Sequence, residues 1–197
     1  MQRSRSQTRQ RILDAAYGLF WRQGFLRVSM DDIAVRADIT KRALYQHFRS
    51  KDDLIAAALA HSSELAIQRL QQFRLSDKPA ELIDTFFAEL AAWAAKPRYS
   101  GGGFTRVAVE LADLRGHPAR AIARNHKSAV EAWLSGALIA AKVASPRDRA
   151  REIMLLMEGA MLLMLIHGDR SYAKAAAQAA KALIRPARLR NRRRPSA

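Results

Sequence analysis

The chain has 197 residues, 49% of them hydrophobic, and it contains no cysteine. A chain of this length buries a substantial core, and the lack of cysteine excludes disulfides, thiol redox sensing and thiolate metal sites. The formal charge of +16 favours polyanionic partners, but charge alone does not separate DNA from RNA or an acidic membrane surface. Abundant alanine and leucine without β-branched runs predict an all-α fold, which the helix breakers divide into about nine helices.

No stretch of the sequence predicts a membrane span or a secretory signal. The longest apolar run, residues 153–166, is interrupted by Glu158 and is shorter than the roughly 20 residues that a spanning helix needs. The opening letters MQRSRSQTRQR lack the apolar segment of a secretory signal. We therefore expect a cytoplasmic protein that does not bind membranes.

The N-terminal region begins with a basic segment and a helix. Residues 1–7 are polar and are predicted to form a flexible arm. Residues 8–22 have apolar side chains at helical spacing, and Gly24 is a natural stop after them. The predicted inner face of this helix consists of Ile12, Leu13, Ala16, Leu19 and Phe20.

Residues 29–48 predict a helix-turn-helix, two short helices joined by a tight turn. The pair Ser29 and Asp32 has the spacing of a capping box at the start of the first short helix. Asp38 and the residue after it form the turn, and Thr40 is the expected N-cap of the second. Ser50 repeats the capping pattern and opens a fourth helix.

The second helix of this pair carries side chains suited to a major groove. With Leu44 and Phe48 turned inward, its outer face has Arg and Gln for base edges and Lys and Tyr for phosphates. The N-termini of neighbouring helices attract phosphate, and arginines of the arm suit a minor groove. The candidate DNA-binding residues are Ser29, Thr40, Lys41, Arg42, Tyr45, Gln46, His47 and Lys51, with Arg3 and Arg5 in the arm.

Several motifs in this region resemble the TetR family, in particular its AcrR-like members. They are TRQRILDAA at 8–16, LF at 19–20, GF at 24–25, DIA at 32–34, LYQHF at 44–48 and SK at 50–51. The sequence departs from the family at Asp38 and Arg42, where glycine is frequent. Asp tolerates a left-handed backbone, so the turn is retained, whereas Arg42 adds a base-reading side chain that the family does not predict.

The resemblance covers roughly residues 8–58 and implies a DNA-binding domain. It also implies a homodimer on a pseudo-palindromic operator of double-stranded DNA, with one recognition helix in each half-site. Phosphate contacts by Tyr45, His47 and Lys51 follow from the same resemblance. For His47 the alternative is an ordinary residue at a helix end.

The remaining chain predicts a helical domain over residues 59–184, for which the resemblance implies regulation and dimerisation. Its predicted helices start at Pro79, Phe104, about Ala119, Pro146 and Ser171. The first is apolar almost all round and is expected to be buried, and the second is expected to end at Leu114. Weaker resemblances to TetR-like C-terminal halves are HPAR at 117–120, WL at 133–134, EGA at 158–160 and HGD at 167–169. Residues 185–197 hold six arginines and no acid and are predicted to form a disordered tail, with added non-specific DNA affinity as one option.

The helix over residues 146–166 has methionines on one face and other apolar residues on the opposite face. Both faces must therefore be buried, one against its own domain and the other against a second subunit. The resemblance points to the last two helices as the dimer interface. The alternative is that both are core helices of a monomer. The candidate interface residues are Leu155, Glu158, Gly159, Leu162, Leu165, Ile166, Tyr172, Ala176, Ala179, Ala180 and Leu183.

Aromatic and methionine side chains of the same domain are candidates for a ligand pocket, since Met lines adaptable apolar cavities. The alternative for each of them is plain core. The candidates are Phe86, Phe87, Leu90, Trp93, Phe104, Val107, Trp133, Met154, Met157 and Met161, with Glu110 and His126 as polar groups. A small, largely apolar or amphipathic effector would fit them.

An enzyme is disfavoured because the five histidines lack paired metal-ligand spacing and Gly101–Gly103 lacks the Lys and strand of a phosphate loop. No cofactor or metal is expected. A ligand-responsive homodimeric repressor is favoured, and a DNA-binding structural or interaction protein without an effector is the alternative.

Overall fold

The computed structural model describes residues 5–73, 78–97 and 99–184, so Arg3 and the predicted tail 185–197 lie outside the described residues. Within these ranges the chain forms nine α-helices and no strand, which confirms the predicted all-α class. The helices are α1 (Arg5–Gln23), α2 (Met30–Arg36), α3 (Lys41–His47), α4 (Lys51–Gln71), α5 (Pro79–Ala94), α6 (Gly103–Glu110), α7 (Pro118–Ala140), α8 (Pro146–His167) and α9 (Ser171–Leu183).

α1 starts at Arg5, three residues before the predicted helix. Arg5 and the two residues after it therefore form its first turn rather than part of a flexible arm. The predicted inner face is confirmed, since Ile12, Leu13, Ala16, Leu19 and Phe20 are all buried. The helix ends where Gly24 takes a φ of 100°, a conformation that favours glycine.

The helix-turn-helix consists of α2 and α3, and its capping follows the sequence rules. Ser29 and Asp32 form the predicted capping box at α2, and the Thr40 hydroxyl accepts the Ala43 N–H at 3.1 Å at α3. Asp38 takes the left-handed conformation in the turn, with a φ of 52°. Arg11 of α1 donates to the Ala37 and Asp38 carbonyl oxygens and so holds the turn against α1.

The C-terminal helices differ from the predicted ones in two respects. α6 ends at Glu110 and not near Leu114, because Leu111 leaves helical geometry and closes the helix as its C-cap. α5 was expected to be buried on all sides, but only one face, with Leu82, Ile83, Phe86 and Phe87, is buried. The acids and alanines between these residues leave the other face to solvent.

Two hydrophobic cores organise the chain. The first joins α1–α4 to Phe104, Val107 and Leu111 of the α6 region and to the start of α7. The second joins α5, the later part of α7, α8 and α9. Because α6 contributes to the first core, the helix-turn-helix domain packs on a helix that the sequence assigns to the C-terminal half.

Candidate nucleic-acid interface and ligand cavity

The outer face of α3 presents three polar side chains to solvent, those of Arg42, Tyr45 and Gln46. The Tyr45 side chain is 46% exposed. Lys41 lies beside them but forms an ion pair with Asp31 of α2 at 2.9 Å, and the hydrogen bond that it donates to Asp31 raises the pKa of Lys41. The ion pair links α2 to α3 and leaves Lys41 exposed.

Two predicted phosphate contacts have partners inside the chain. The Ser29 hydroxyl donates to the Asp32 carboxylate at 2.7 Å, while its oxygen accepts the Asp32 N–H and so caps α2. The bond from the hydroxyl, followed by the one from the Ser29 backbone N–H at 2.9 Å, lowers the pKa of Asp32. Lys51 Nζ donates to the Leu26 carbonyl at 2.8 Å, and partial burial lowers the pKa of this amine. An ammonium has three N–H donors, so Lys51 retains two N–H groups for other acceptors such as phosphate.

His47 and Arg5 lie on the same side of the domain. Partial burial, followed by the positive charges of Arg5 and Arg9, lowers the pKa of His47. The ring is therefore neutral at neutral pH and retains one N–H donor. The Arg9 guanidinium lies 5.3 Å from the centre of the Phe48 ring, so α1 adds positive charge beside the end of α3.

A cavity of about 710 Å³ lies between α1 and the helices of the C-terminal half. Seven of the twelve predicted pocket residues line it, Phe86, Leu90, Trp93, Phe104, His126, Met157 and Met161. The other five do not. Phe87, Val107 and Met154 are buried in the two cores, and Trp133 packs on Phe73 and Phe86.

Glu110, predicted as a polar group of the pocket, instead connects the two parts of the chain. Its carboxylate accepts the backbone N–H groups of Phe25 at 2.7 Å and Leu26 at 3.1 Å. Arg106, one turn earlier on α6, pairs with Glu110 at 2.5 Å and donates to the Trp21 carbonyl at 2.9 Å. α6 therefore lines the cavity at Phe104 and binds the segment between α1 and α2 at its other end.

A family model described as "Bacterial regulatory proteins, tetR family" matches residues 12–58, the part of the chain that contains α2 and α3. The chain therefore contains a TetR-type DNA-binding region over these residues. It is 46% identical to the HTH-type transcriptional regulator AcrR of Shigella flexneri over 50 residues, which are 25% of this chain and 23% of that protein. The chain spans between 23% and 40% of the length of such curated relatives.

Solved TetR-type structures match nearly the whole chain. A putative TetR transcriptional regulator of Streptomyces avermitilis is 27% identical, with a TM-score of 0.73, over 88% of this chain and 98% of that one. The multidrug binding protein EbrR, solved in complex with ethidium, is 25% identical, with a TM-score of 0.69, over 91% and 99%. The TetR fold therefore extends over both halves of the chain.

α8 has the two faces that its sequence predicts. Met154, Met157, Met161 and Met164 are buried, whereas the opposite face carries Leu155, Leu162, Leu165 and Ile166 with exposed fractions of 70%, 57%, 42% and 62%. Large apolar side chains at this exposure form a surface patch of the kind that contacts a protein partner. No helix of the described residues is both long and apolar enough to cross a membrane.

Several predicted interface residues are turned away from that patch. Ala176 and Ala180 are buried in their own chain, whereas Ala179 is exposed. Glu158 is half-buried, pairs with Lys127 and accepts the Thr105 hydroxyl at 2.7 Å. The partly buried residues are Gly159, Tyr172 and Leu183, and the Tyr172 ring stacks on that of His167.

Tyr17 and Trp21 of α1 line the cavity, although neither was a candidate. They are four residues apart and lie off the apolar stripe of α1, so they form a second i,i+4 face on that helix. This aromatic pair is the feature of the sequence that could have indicated a cavity wall on α1. Its partner, Trp93, lies on α5 and is too distant in sequence to be identified by helical spacing.

Proposed function

We propose that this chain is a ligand-responsive transcriptional repressor that binds a pseudo-palindromic operator as a homodimer. DNA binding is assigned to the exposed Arg42, Tyr45 and Gln46 on α3, with phosphate contacts from Thr40, Lys41, His47, Lys51 and the Ser29 end of α2. Arg5, at the start of α1, and Arg3 are assigned to the adjacent minor groove. The match of residues 12–58 to a family of bacterial regulatory proteins supports this proposal.

Dimerisation is assigned to the apolar patch of Leu155, Leu162, Leu165 and Ile166 on α8, with Ala179 on α9. Pairing of two such patches would bury these side chains and hold two recognition helices at a fixed separation. One helix contacts only a few base pairs, so useful specificity requires both. The arrangement therefore makes operator binding depend on the pairing of two chains.

The observation that supports an effector is that α6 contacts both the cavity and the DNA-binding domain. Phe104 lines the cavity, and Glu110 accepts the backbone N–H groups at the start of the α1–α2 segment. A ligand that fits the cavity in one position of α6 better than in another would shift the separation of the recognition helices. The complex of EbrR with ethidium supports a small-molecule effector for this chain as well.

The experiment is an operator titration at moderate salt on a duplex selected from a random DNA pool. Tyr45→Ala and Lys51→Ala are each expected to weaken binding, and Arg147→Ala, at the start of α8 and far from α3, serves as the control. If neither of the first two variants weakens binding, the DNA-binding face is assigned wrongly. A DNA-binding protein without an effector would show full operator binding in the presence of every ligand that fills the cavity.

A further inference from the structure

The DNA-binding domain forms one wall of the cavity. α1 contributes Tyr17, Gly18 and Trp21 to the lining, while α5, α6 and α8 contribute Trp93, Phe104 and residues around Met157. A molecule in this cavity would therefore contact α1 directly, without an intervening helix.

Trp21 is held in this wall by contacts on its backbone and on its ring. Its carbonyl oxygen accepts the Ser100 hydroxyl at 3.0 Å and the Arg106 guanidinium at 2.9 Å. Its ring lies over Gly103, where a Cβ would overlap the indole, so glycine permits the close approach. The indole is thereby fixed against the first turn of α6.

An aromatic series runs from α1 into the C-terminal half. The Tyr17 and Trp21 ring centres are 5.3 Å apart, Trp21 meets Trp93 edge-on at 5.7 Å, and Trp93 meets Tyr99 at 4.9 Å. The Tyr99 hydroxyl donates to the Met161 carbonyl at 2.9 Å. Faces and edges of these rings are the surfaces on which a flat aromatic molecule packs best.

The charged and titratable residues in the interior of the cavity have partners among the described residues. His61, which is half-buried, lies 3.9 Å from Asp14 and forms a hydrogen bond with Gln10 at 2.7 Å. His126 stacks on Phe104 at 3.7 Å, bonds Ser63 at 2.9 Å, and burial lowers its pKa to about 4, so the ring is neutral. Burial raises the pKa values of Tyr17 and Tyr99 to about 12, and Lys127 is paired with Glu158. The other charged lining residues are exposed and of both signs, Asp14, Arg22, Arg69, Glu89 and Lys96.

We propose that the cavity binds an uncharged, flat aromatic molecule against Trp21, so that the DNA-binding domain is itself part of the effector site. The volume of about 710 Å³ lies within the range of small-molecule sites. The assignment rests on the proposed ligand-responsive function and specifies how the ligand is sensed. Ligand contact with α1 supplies the differential interaction that a change in operator affinity requires.

The test is a fluorescence titration of the full chain with the neutral dye N-phenyl-1-naphthylamine. Trp21→Leu is expected to weaken dye binding about tenfold. The control, Trp133→Leu, changes a tryptophan outside the lining, and its dye affinity is expected to stay within about twofold of the wild-type value. Equal affinities in the wild-type chain and Trp21→Leu overturn the site. Ethidium, a cation, and anilinonaphthalene sulfonate, an anion, are expected to bind more weakly, and tighter binding of either overturns the ligand class.

A second measurement leaves Trp21 unchanged. In the double variant Trp93→Phe, Trp133→Phe the sole tryptophan is Trp21. The probe 1-bromonaphthalene, whose heavy atom quenches only groups in contact with it, is expected to quench that emission. Saturation without quenching overturns the contact.

Neither dye measurement needs DNA, so failure of the site and failure of the proposed function are distinguishable. If the chain binds dye at Trp21 but selects no duplex, the proposed repressor function is refuted and the proposed ligand site is retained. A chain that selects an operator but binds no neutral dye refutes the site alone. Where both occur, dye is expected to weaken operator binding in the wild-type chain and to do so by a smaller factor in Trp21→Leu.

Discussion

The carboxylate of Glu110 on α6 accepts the backbone N–H of Phe25 at 2.7 Å, although the two residues are 85 positions apart in the chain. The acceptor belongs to the helix that lines the cavity, and the donor belongs to the segment that leads into the helix-turn-helix. Leu26 joins the same carboxylate at 3.1 Å, and Lys51 holds the Leu26 carbonyl from the side of α4. The position of α2 relative to α6 is therefore fixed by hydrogen bonds as well as by packing.

Replacement of this carboxylate is expected to destabilise the chain. Glu110→Ala removes a charged acceptor and leaves two backbone N–H groups without it, so the free energy of unfolding falls by about 2 kcal/mol. Glu64→Ala, at an exposed position of α4, is the matched control and changes it by less than about 0.5 kcal/mol. Urea unfolding followed by circular dichroism measures both, and equal values for the two variants contradict the role of Glu110.

Gln46 on α3 is expected to contribute sequence discrimination. Gln46→Ala removes a side chain suited to bidentate contact with adenine, so binding to the selected operator weakens by about 1–3 kcal/mol. Binding to random-sequence duplex stays nearly unchanged, because phosphate contacts supply that affinity. Fluorescence anisotropy on both duplexes measures the ratio. An equal loss of affinity for both duplexes would show that Gln46 contacts the DNA backbone and not the bases.

The exposed face of α8 is expected to hold two chains together. Leu162→Lys places a charge in the centre of the apolar patch, so the chain becomes monomeric at micromolar concentration and its operator affinity falls with the loss of the second contact. Leu114→Lys changes a side chain that is 50% exposed, after α6, and leaves the mass unchanged. Sedimentation equilibrium measures the mass, and a dimeric Leu162→Lys chain would place the interface elsewhere.

Stability is expected to depend on pH through His126. Burial, and then the charge of Lys127, lowers the pKa of its ring to about 4 from 6.5. The unfolded state therefore binds a proton that the folded state does not, so the stabilisation is present above pH 6.5 and is lost as the pH falls towards 4. His126→Gln removes this dependence, and the difference between the two unfolding curves across that window measures it. Parallel curves would contradict the assignment.

Local rules were sufficient for the helix-turn-helix. The capping box of Ser29 and the N-cap at Thr40 follow from hydrogen bonding within four residues, and both are found in the structure. The left-handed Asp38 follows from the tolerance of aspartate for that backbone conformation. The inward face of α1 follows from its period in the same way. Such features are predictable because each partner is a near neighbour in the sequence.

Features that depend on distant partners were not predictable. Glu110 was placed in the pocket because it lies on the same helix as Phe104, but its partners are N–H groups of another domain. Ala176 and Ala180 are predicted at the dimer interface because their small side chains permit two helices to approach closely. However, α9 carries alanine on nearly every side, so the spacing of its apolar residues does not reveal which face packs against its own chain. Trp21 was missed because the cavity wall is made by helices that meet only in the folded chain.

The selection of duplexes from a random-sequence pool, with the wild-type chain and Gln46→Ala in parallel, tests the central claim most directly. A homodimeric DNA-binding regulator is expected to enrich an inverted repeat whose half-site centres are about 34–36 Å apart or a multiple of a helical turn. The Gln46→Ala chain is expected to lose preference at one position of each half-site. A pool without any enriched repeat, or the same repeat at full preference with both chains, would contradict the account.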